Sequence, residues 1–241
     1  MTRAEPPARW GPPLILSCLM YSACLHDAII ARGRDASSSD AAEDAPISTA
    51  LRIEGEVIAN LEAESEVTES EVRCSFRLSR GGQPVTDAQI SLESTSLAPL
   101  ALSLRDGQFS GSQTGYAMAY TVVVRADGIE LRAPLNGPFA HRIDAPRPND
   151  VVRSGTALTV RWSPFGAAEA AVEAARFAET PVADTGEFTI PATAIPATPG
   201  RVTEERVRVR RSDTFAPAGF AEGSRIRVIV SRDGRFSIDG G

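Results

Sequence analysis

The residues able to do chemistry are few: three thiols, two imidazoles, some clustered carboxylates and a series of arginines. Cys18 and Cys24 lie in or beside a short apolar run near the start, and Cys74 stands alone further on. Cys74 alternates with Val72, Phe76 and Leu78, so it is expected inside a core, where burial raises a thiol's pKa and blocks access. Ser/His/Asp hydrolysis would need His141, since His26 lies close to the N-terminal run. No Gly-x-Ser-x-Gly elbow accompanies it, and a lone histidine beside a Pro-rich stretch is expected to be structural or on the surface. No Cys/His spacing suits zinc. Glu62, Glu64, Glu66, Glu69 and Glu71 could supply paired carboxylates or a calcium site, and Asp144, Asn149 and Asp150 a calcium site, but there is no EF-hand loop. A solvated acidic loop is the simpler expectation for the glutamates. Gly-rich phosphate loops are absent. Arg206, Arg208 and Arg210, with Arg225 and Arg227, can form a guanidinium stripe for a carboxylate- or phosphate-bearing polymer. The same stripe also reads as a solvated face that discourages edge pairing. The expectation is therefore no catalytic residue, no metal and no cofactor.

The elements that must position these groups are strands. Glu71–Arg80 alternates strictly, with Val72, Cys74, Phe76 and Leu78 on one face and Arg73, Ser75, Arg77 and Ser79 on the other. Gly81-Gly82 turns the chain into a strand expected over Pro84–Leu92. Leu100, Leu102 and Leu104 alternate, and Asp106-Gly107 turns back into Phe109. Tyr116, Met118, Tyr120, Val122 and Val124 are expected to share a face, and Asp127-Gly128 marks a hairpin into Ile129–Arg132. Pro134, Asn136-Gly137-Pro138, Pro146 and Pro148 mark a junction between two strand-rich blocks. Beyond it, Leu158, Val160 and Trp162 share a face, which places the tryptophan in a core. Ala167–Phe177 has helix propensity but sits between strands, and a strand is expected. Val207 and Val209 point in and Arg206, Arg208 and Arg210 out. Ile226, Val228 and Val230 form a strand, and Arg232-Asp233-Gly234 is expected to turn into Phe236-Ser237-Ile238.

Composition sets the outer limits. All 25 basic residues are arginine, the net charge is −6, and aromatic residues make up 6%. An acidic chain is a poor candidate for nucleic-acid binding, which needs a basic footprint. Cys74 has no partner once the N-terminal cysteines are set aside, so stability must come from packed cores rather than disulfides. The N-terminus reads as an export signal: Arg3 and Arg9, then an apolar run from Leu14 to Leu25. As a helix those residues would span about 18 Å against a hydrocarbon core of about 30 Å, too short for a good permanent span. Residues from Asp27 to Ser48 are rich in Ala, Ser and Asp and cannot bury enough apolar surface to offset ordering entropy.

Ser22-Ala23-Cys24 resembles the lipobox of exported bacterial lipoproteins, although Tyr21 stands where that family prefers an aliphatic residue. The resemblance implies cleavage before Cys24, lipidation of its thiol and attachment to a membrane face. Leu25 rather than Asp after the cysteine leans toward the outer membrane, with a freely secreted form as the alternative. Gly81-Gly-Gln-Pro84-Val-Thr-Asp-Ala88-Gln-Ile-Ser-Leu92, Gly107-Gln-Phe109 and Tyr120-Thr-Val-Val-Val124 resemble the prealbumin-like or carboxypeptidase-regulatory-like Ig-type sandwich. The stretch from Asp144 to Trp162 resembles the opening of Ig- or fibronectin-type modules, and Asp184–Pro191 resembles a segment of exported bacterial Ig-like domains. These motifs encode turns and core positions and imply no activity.

The sequence therefore predicts an all-β chain. A signal peptide (residues 1–23) and a disordered acidic linker (24–48) precede two tandem Ig-like β-sandwich domains (49–140 and 141–241). The expected function is that of a non-enzymatic, lipid-anchored cell-envelope protein contacting an envelope protein or polysaccharide. A carbohydrate-binding accessory module is the first alternative and would need exposed aromatics. A hydrolase using the acidic residues is the second and would need a cleft.

Overall fold

Period-two patterning builds the body of the protein. The computed structural model describes residues 50–62, 64–174, 176–195 and 199–241. The leader, the linker and Cys24 therefore lie outside the described residues. Seventeen strands alternate with turns, two single 3₁₀ turns stand at Val67–Glu69 and Ala192–Ala194, and no α-helix occurs among the described residues. The first half holds β1 (Leu51–Leu61), β2 (Glu71–Arg80), β3 (Gln83–Pro84), β4 (Gln89–Glu93), β5 (Leu100–Ala101), β6 (Ser103–Arg105), β7 (Gln108–Thr114), β8 (Ala119–Ala126) and β9 (Ile129–Asn136). The second half holds β10 (Ile143–Ala145), β11 (Val151–Arg153), β12 (Leu158–Trp162), β13 (Glu169–Ala174), β14 (Phe177–Val182), β15 (Glu187–Ile190), β16 (Val202–Phe215) and β17 (Arg225–Asp239).

One large sheet runs through both halves in the order β14-β13-β16-β17-β1-β2-β7-β6, with β11 also paired to β17 and β3 to β2. A four-stranded sheet, β5-β4-β8-β9, and a three-stranded sheet, β10-β12-β15, complete the all-β sandwich. Ile226, Val228 and Val230 of β17 close one apolar core with β1, β2, β4, β8 and β9. Phe236 and Ile238 of the same strand close a second core around Trp162, Val172, Val207 and Val209. All five β17 residues have even numbers, so they project from one face of the large sheet, and both smaller sheets lie against that face. The other face is mainly polar, with Ile58 and Ile229 among its few apolar residues.

The expected boundary between residues 140 and 141 falls between β9 and β10, yet the large sheet crosses it. β1 pairs in parallel with β17, Glu54 through Leu61 against Arg225 through Arg232. The described residues fall within one compact unit, Asp44–Gly241.

Several local expectations are met. Cys74 and Trp162 are both buried, and the alanine-rich stretch forms the β13–β14 hairpin. Asp127 and Gly128 both take positive φ between β8 and β9, the conformation a tight hairpin requires. Others need correction. Arg232-Asp233-Gly234 does not turn, because β17 runs unbroken from Arg225 to Asp239 beside β16. Gly234 lies opposite Val207, and a Cβ there would meet Val207 and Ile143 at 3.2–3.3 Å. The glycine thus marks a close approach, not a bend. Met118 is 44% exposed and precedes β8, so the face that begins at Tyr116 is interrupted before Ala119. The strand expected over Pro84–Leu92 is split into β3 and β4, which belong to different sheets. Leu100–Leu104 likewise switches sheets between β5 and β6.

Candidate functional site

Two polar features follow from this frame: the outer face of the large sheet and a buried charged node between the two cores. The outer face comes directly from alternation. With Val207 and Val209 inward, Arg206, Arg208 and Arg210 project outward from β16. Thr214 of β16 pairs with Arg227 of β17, which puts Arg227 and, two residues away, Arg225 on that same face. The fold thus gathers the five arginines of the expected stripe on one surface, but carboxylates are woven among them. Arg206 donates to Asp233 at 3.1 Å, and Arg208 to both oxygens of Asp233 at 2.7 and 3.2 Å. The Asp233 hydrogen bond is the main cause that raises the Arg208 pKa. Arg210 grips Glu179 at 2.9 and 3.0 Å. Arg227 donates to Glu169 at 2.7 Å and to Ser212 at 2.9 Å. Arg225 has no such partner among the described residues.

The buried node was legible only in part. Continuing the Val207, Val209 parity puts Arg211 inward, and Arg232 follows Val228 and Val230 in the same way. Charged residues at inward positions between two apolar stretches mark the place where one core ends and the next begins. Arg211 is completely buried. Its Nε donates to both Asp184 oxygens at 3.1 Å, its Nη2 to Oδ2 at 2.5 Å, and its Nη1 to the Phe139 carbonyl at 3.0 Å. Asp184 also accepts from Trp162 Nε1 at 2.8 Å and from the Ala167 N–H at 2.9 Å. Burial pushes the Asp184 carboxyl up. The hydrogen bonds from Arg211, Trp162 and Ala167, with the guanidinium charge, outweigh it and hold the group below its ordinary value.

His141, the imidazole considered for hydrolysis, is 1% exposed. Its Nε2 lies 3.0 Å from the Val209 carbonyl. A carbonyl only accepts, so Nε2 carries the proton and Nδ1, which has no partner, is left as an acceptor. Burial first, then the nearby Arg211 charge, lowers its pKa to about 3. A neutral, enclosed imidazole of this kind positions β16 against the junction. Cys74 is equally enclosed, and burial raises its thiol to about 12.

Over the node lie Phe139 and Phe165, 50% and 55% exposed, with ring centroids 5.3 Å apart. The Arg211 guanidinium carbon sits 5.9 Å from the Phe165 centroid. Beside them opens a crevice of about 790 Å³ whose lining includes Glu64, Glu66, His141, Asp144, Ser163 and Phe165. The acidic stretch and the Pro-rich junction therefore meet around one cavity, which sequence reasoning treated as separate features. Asp144 accepts from Arg142 Nε at 2.7 Å and Asp150 from the Arg147 N–H at 2.7 Å. No group of three or more His, Cys, Asp or Glu suited to a metal occurs among the described residues. No helix of those residues is long and apolar enough to cross a membrane.

No protein-family model matches the chain, and no curated protein matches it. Among solved structures, the fibronectin(III)-like modules of Clostridium thermocellum CbhA are similar at 13% identity over 78% of this chain and 90% of theirs, with a TM-score of 0.23. A likeness at that score carries no argument. The all-β class rests on the strands themselves.

Proposed function

We propose that this chain is a non-enzymatic, lipid-anchored cell-envelope protein whose Ig-like β body binds an envelope protein or polymer. The observation that carries the reading is the large sheet: both smaller sheets pack on one of its faces, and the other presents a charged lattice. Export, lipidation at Cys24 and an acidic spacer would hold that face away from a membrane, the outer membrane by the Leu25 criterion. A structural role for the buried reactive groups supports the reading: His141 donates to the Val209 carbonyl and Cys74 fills a core.

A second reading is favoured by a separate observation. Phe139 and Phe165 form a half-exposed aromatic pair beside a crevice with hydroxyl, carboxylate and guanidinium groups, a combination able to stack on and hydrogen-bond a sugar. This keeps a carbohydrate-binding module as the alternative. A hydrolase using Glu64, Glu66 or Asp144 in that crevice ranks below it, since Asp144 is already engaged by Arg142.

Affinity capture of the full chain from solubilised membranes, followed by mass spectrometry and sugar analysis of what co-purifies, tests the proposal. Enrichment of an envelope protein or polymer is expected, with loss of capture from the membrane fraction for C24S. Recovery of the wild-type chain only from the soluble fraction, with no companion, would contradict it. Loss of capture on replacing Phe139 and Phe165 by alanine would favour the second reading.

A further inference from the structure

On the outer sheet face most arginines are neutralised in place. Arg52 pairs with Glu54, Arg73 with Glu71, Arg206 and Arg208 with Asp233, Arg210 with Glu179, Arg227 with Glu169, and Arg235 with Glu62 and Glu204. Arg77, Arg105 and Arg225 pair with no carboxylate among the described residues. These three are not scattered. Glu54 of β1 faces Arg225 of β17 on one side and Arg77 of β2 on the other. Phe76 faces Phe109 across β2 and β7, so the next pair outward is Arg77 and Gln108. Gln108 in turn faces Arg105 of β6. Directly opposed residues share a sheet face. One cross-strand row therefore reads Arg225, Glu54, Arg77, Gln108, Arg105.

The unpaired guanidinium groups stand on every second strand, so neighbours along the row are separated by about 10 Å, two strand spacings. The carboxylate between the first two is hydrogen-bonded to Arg52, which offsets its charge. Gln108 offers neutral hydrogen bonding between the second and third. A cleft of about 640 Å³ lies along the Arg225–Gln108 part of the row, with Glu54, Glu56, Ser75, Arg77, Gln108 and Arg225 among its walls, and Arg105 lies outside it. A positive row of this kind on a chain of net charge −6 selects for an extended anion, not for a compact one.

We propose that the Arg225–Arg77–Arg105 row binds a linear glycan carrying a carboxylate on every second ring. The glycan lies across the strands, each guanidinium takes one carboxylate, and Gln108 and Ser75 meet the neutral sugar hydroxyls. This deepens the polymer-binding reading above and rests on it.

The test is native affinity electrophoresis of the full chain in detergent, with hyaluronate, dextran or polyphosphate cast into the gel. Hyaluronate is expected to retard the wild-type chain and dextran to leave its mobility unchanged. The variant R77A/R105A/R225A is expected to weaken hyaluronate binding roughly tenfold or more, as three charge-assisted contacts are lost. R73A/R132A removes exposed arginines that are already paired, Arg132 on a different sheet, and is expected to change it less than roughly twofold. All these side chains lie on the surface, and an unchanged circular dichroism spectrum and melting temperature confirm folding. Should the triple variant fail that check, R77E alone is expected to weaken binding. Undiminished retardation of the row variants, equal retardation by dextran, or stronger retardation by polyphosphate overturns the inference. Membrane capture of a companion without hyaluronate binding would sink this inference alone and leave the anchored binding protein standing.

Discussion

Replacing His141 by glutamine removes a group that links the seam between the cores to pH in the mildly acidic range. Buried and neutral, the imidazole titrates near pH 3 in the folded chain instead of near its ordinary value of 6.5. The unfolded chain therefore binds the extra proton first as pH falls. His141 leaves stability undiminished above about pH 6.5, and its neutral burial becomes a progressively larger penalty from there down to about pH 3. Between pH 7 and pH 5 the cost is about 2 kcal/mol, from 1.36 kcal/mol per pH unit over the part of the window below 6.5. Asp184 is held low in the folded state, so its contribution persists through this window and fades only as pH falls through the carboxylate range. Urea unfolding of the wild type and H141Q at pH 7, 6 and 5, with equal m-values, reads the difference. The wild type is expected to lose about 2 kcal/mol by pH 5 that H141Q does not lose. Parallel pH dependences in the two proteins would show that the imidazole is not held neutral in the fold, and the reasoning would fail.

Three further outcomes follow from the same geometry. R211M alone is expected to cost about 3–5 kcal/mol, because it leaves the Asp184 carboxylate buried without its countercharge, and R211M/D184L is expected to recover much of that loss in chemical denaturation. Cys74, enclosed and with its thiol raised to about 12, is expected to resist iodoacetamide in the native chain and to react on unfolding in urea, as followed by mass spectrometry. G55A is expected to lower the melting temperature markedly, since a Cβ there would lie within 2.5 Å of Phe76 Cδ1; an unchanged melting temperature would show that β1 and β2 can separate freely.

The strands were readable from sequence wherever one face meets a core and the other meets solvent. Val72, Cys74, Phe76 and Leu78 show this on β2, as do Leu158, Val160 and Trp162 on β12. The single sheet joining both halves was not readable, because a parallel pairing between β1 and β17 links residues far apart in sequence and leaves no local pattern. The supposed turn at Arg232–Gly234 misled for a related reason. Turn chemistry and a seam between two cores use the same residue types, polar groups and a glycine. The arginine stripe was found by parity, but the carboxylates that neutralise most of it come from β13, β14 and the far part of β17, which only the tertiary fold brings alongside. Arg211 could have been found by carrying the same parity one step further. Its partner Asp184 could not, since it sits in the turn before β15 and approaches from the opposite sheet.

The anchored-binding account stands most directly on the fate of the N-terminus. Intact-mass and peptide analysis of the chain purified from the membranes of a bacterial host is the decisive measurement. The account predicts a mature chain that starts at Cys24 and carries acyl groups there, and a C24S form that is neither acylated nor retained in the membrane fraction. A mature chain that keeps residues 1–23, or that starts at an unmodified Cys24 while remaining in the membrane fraction, would contradict it.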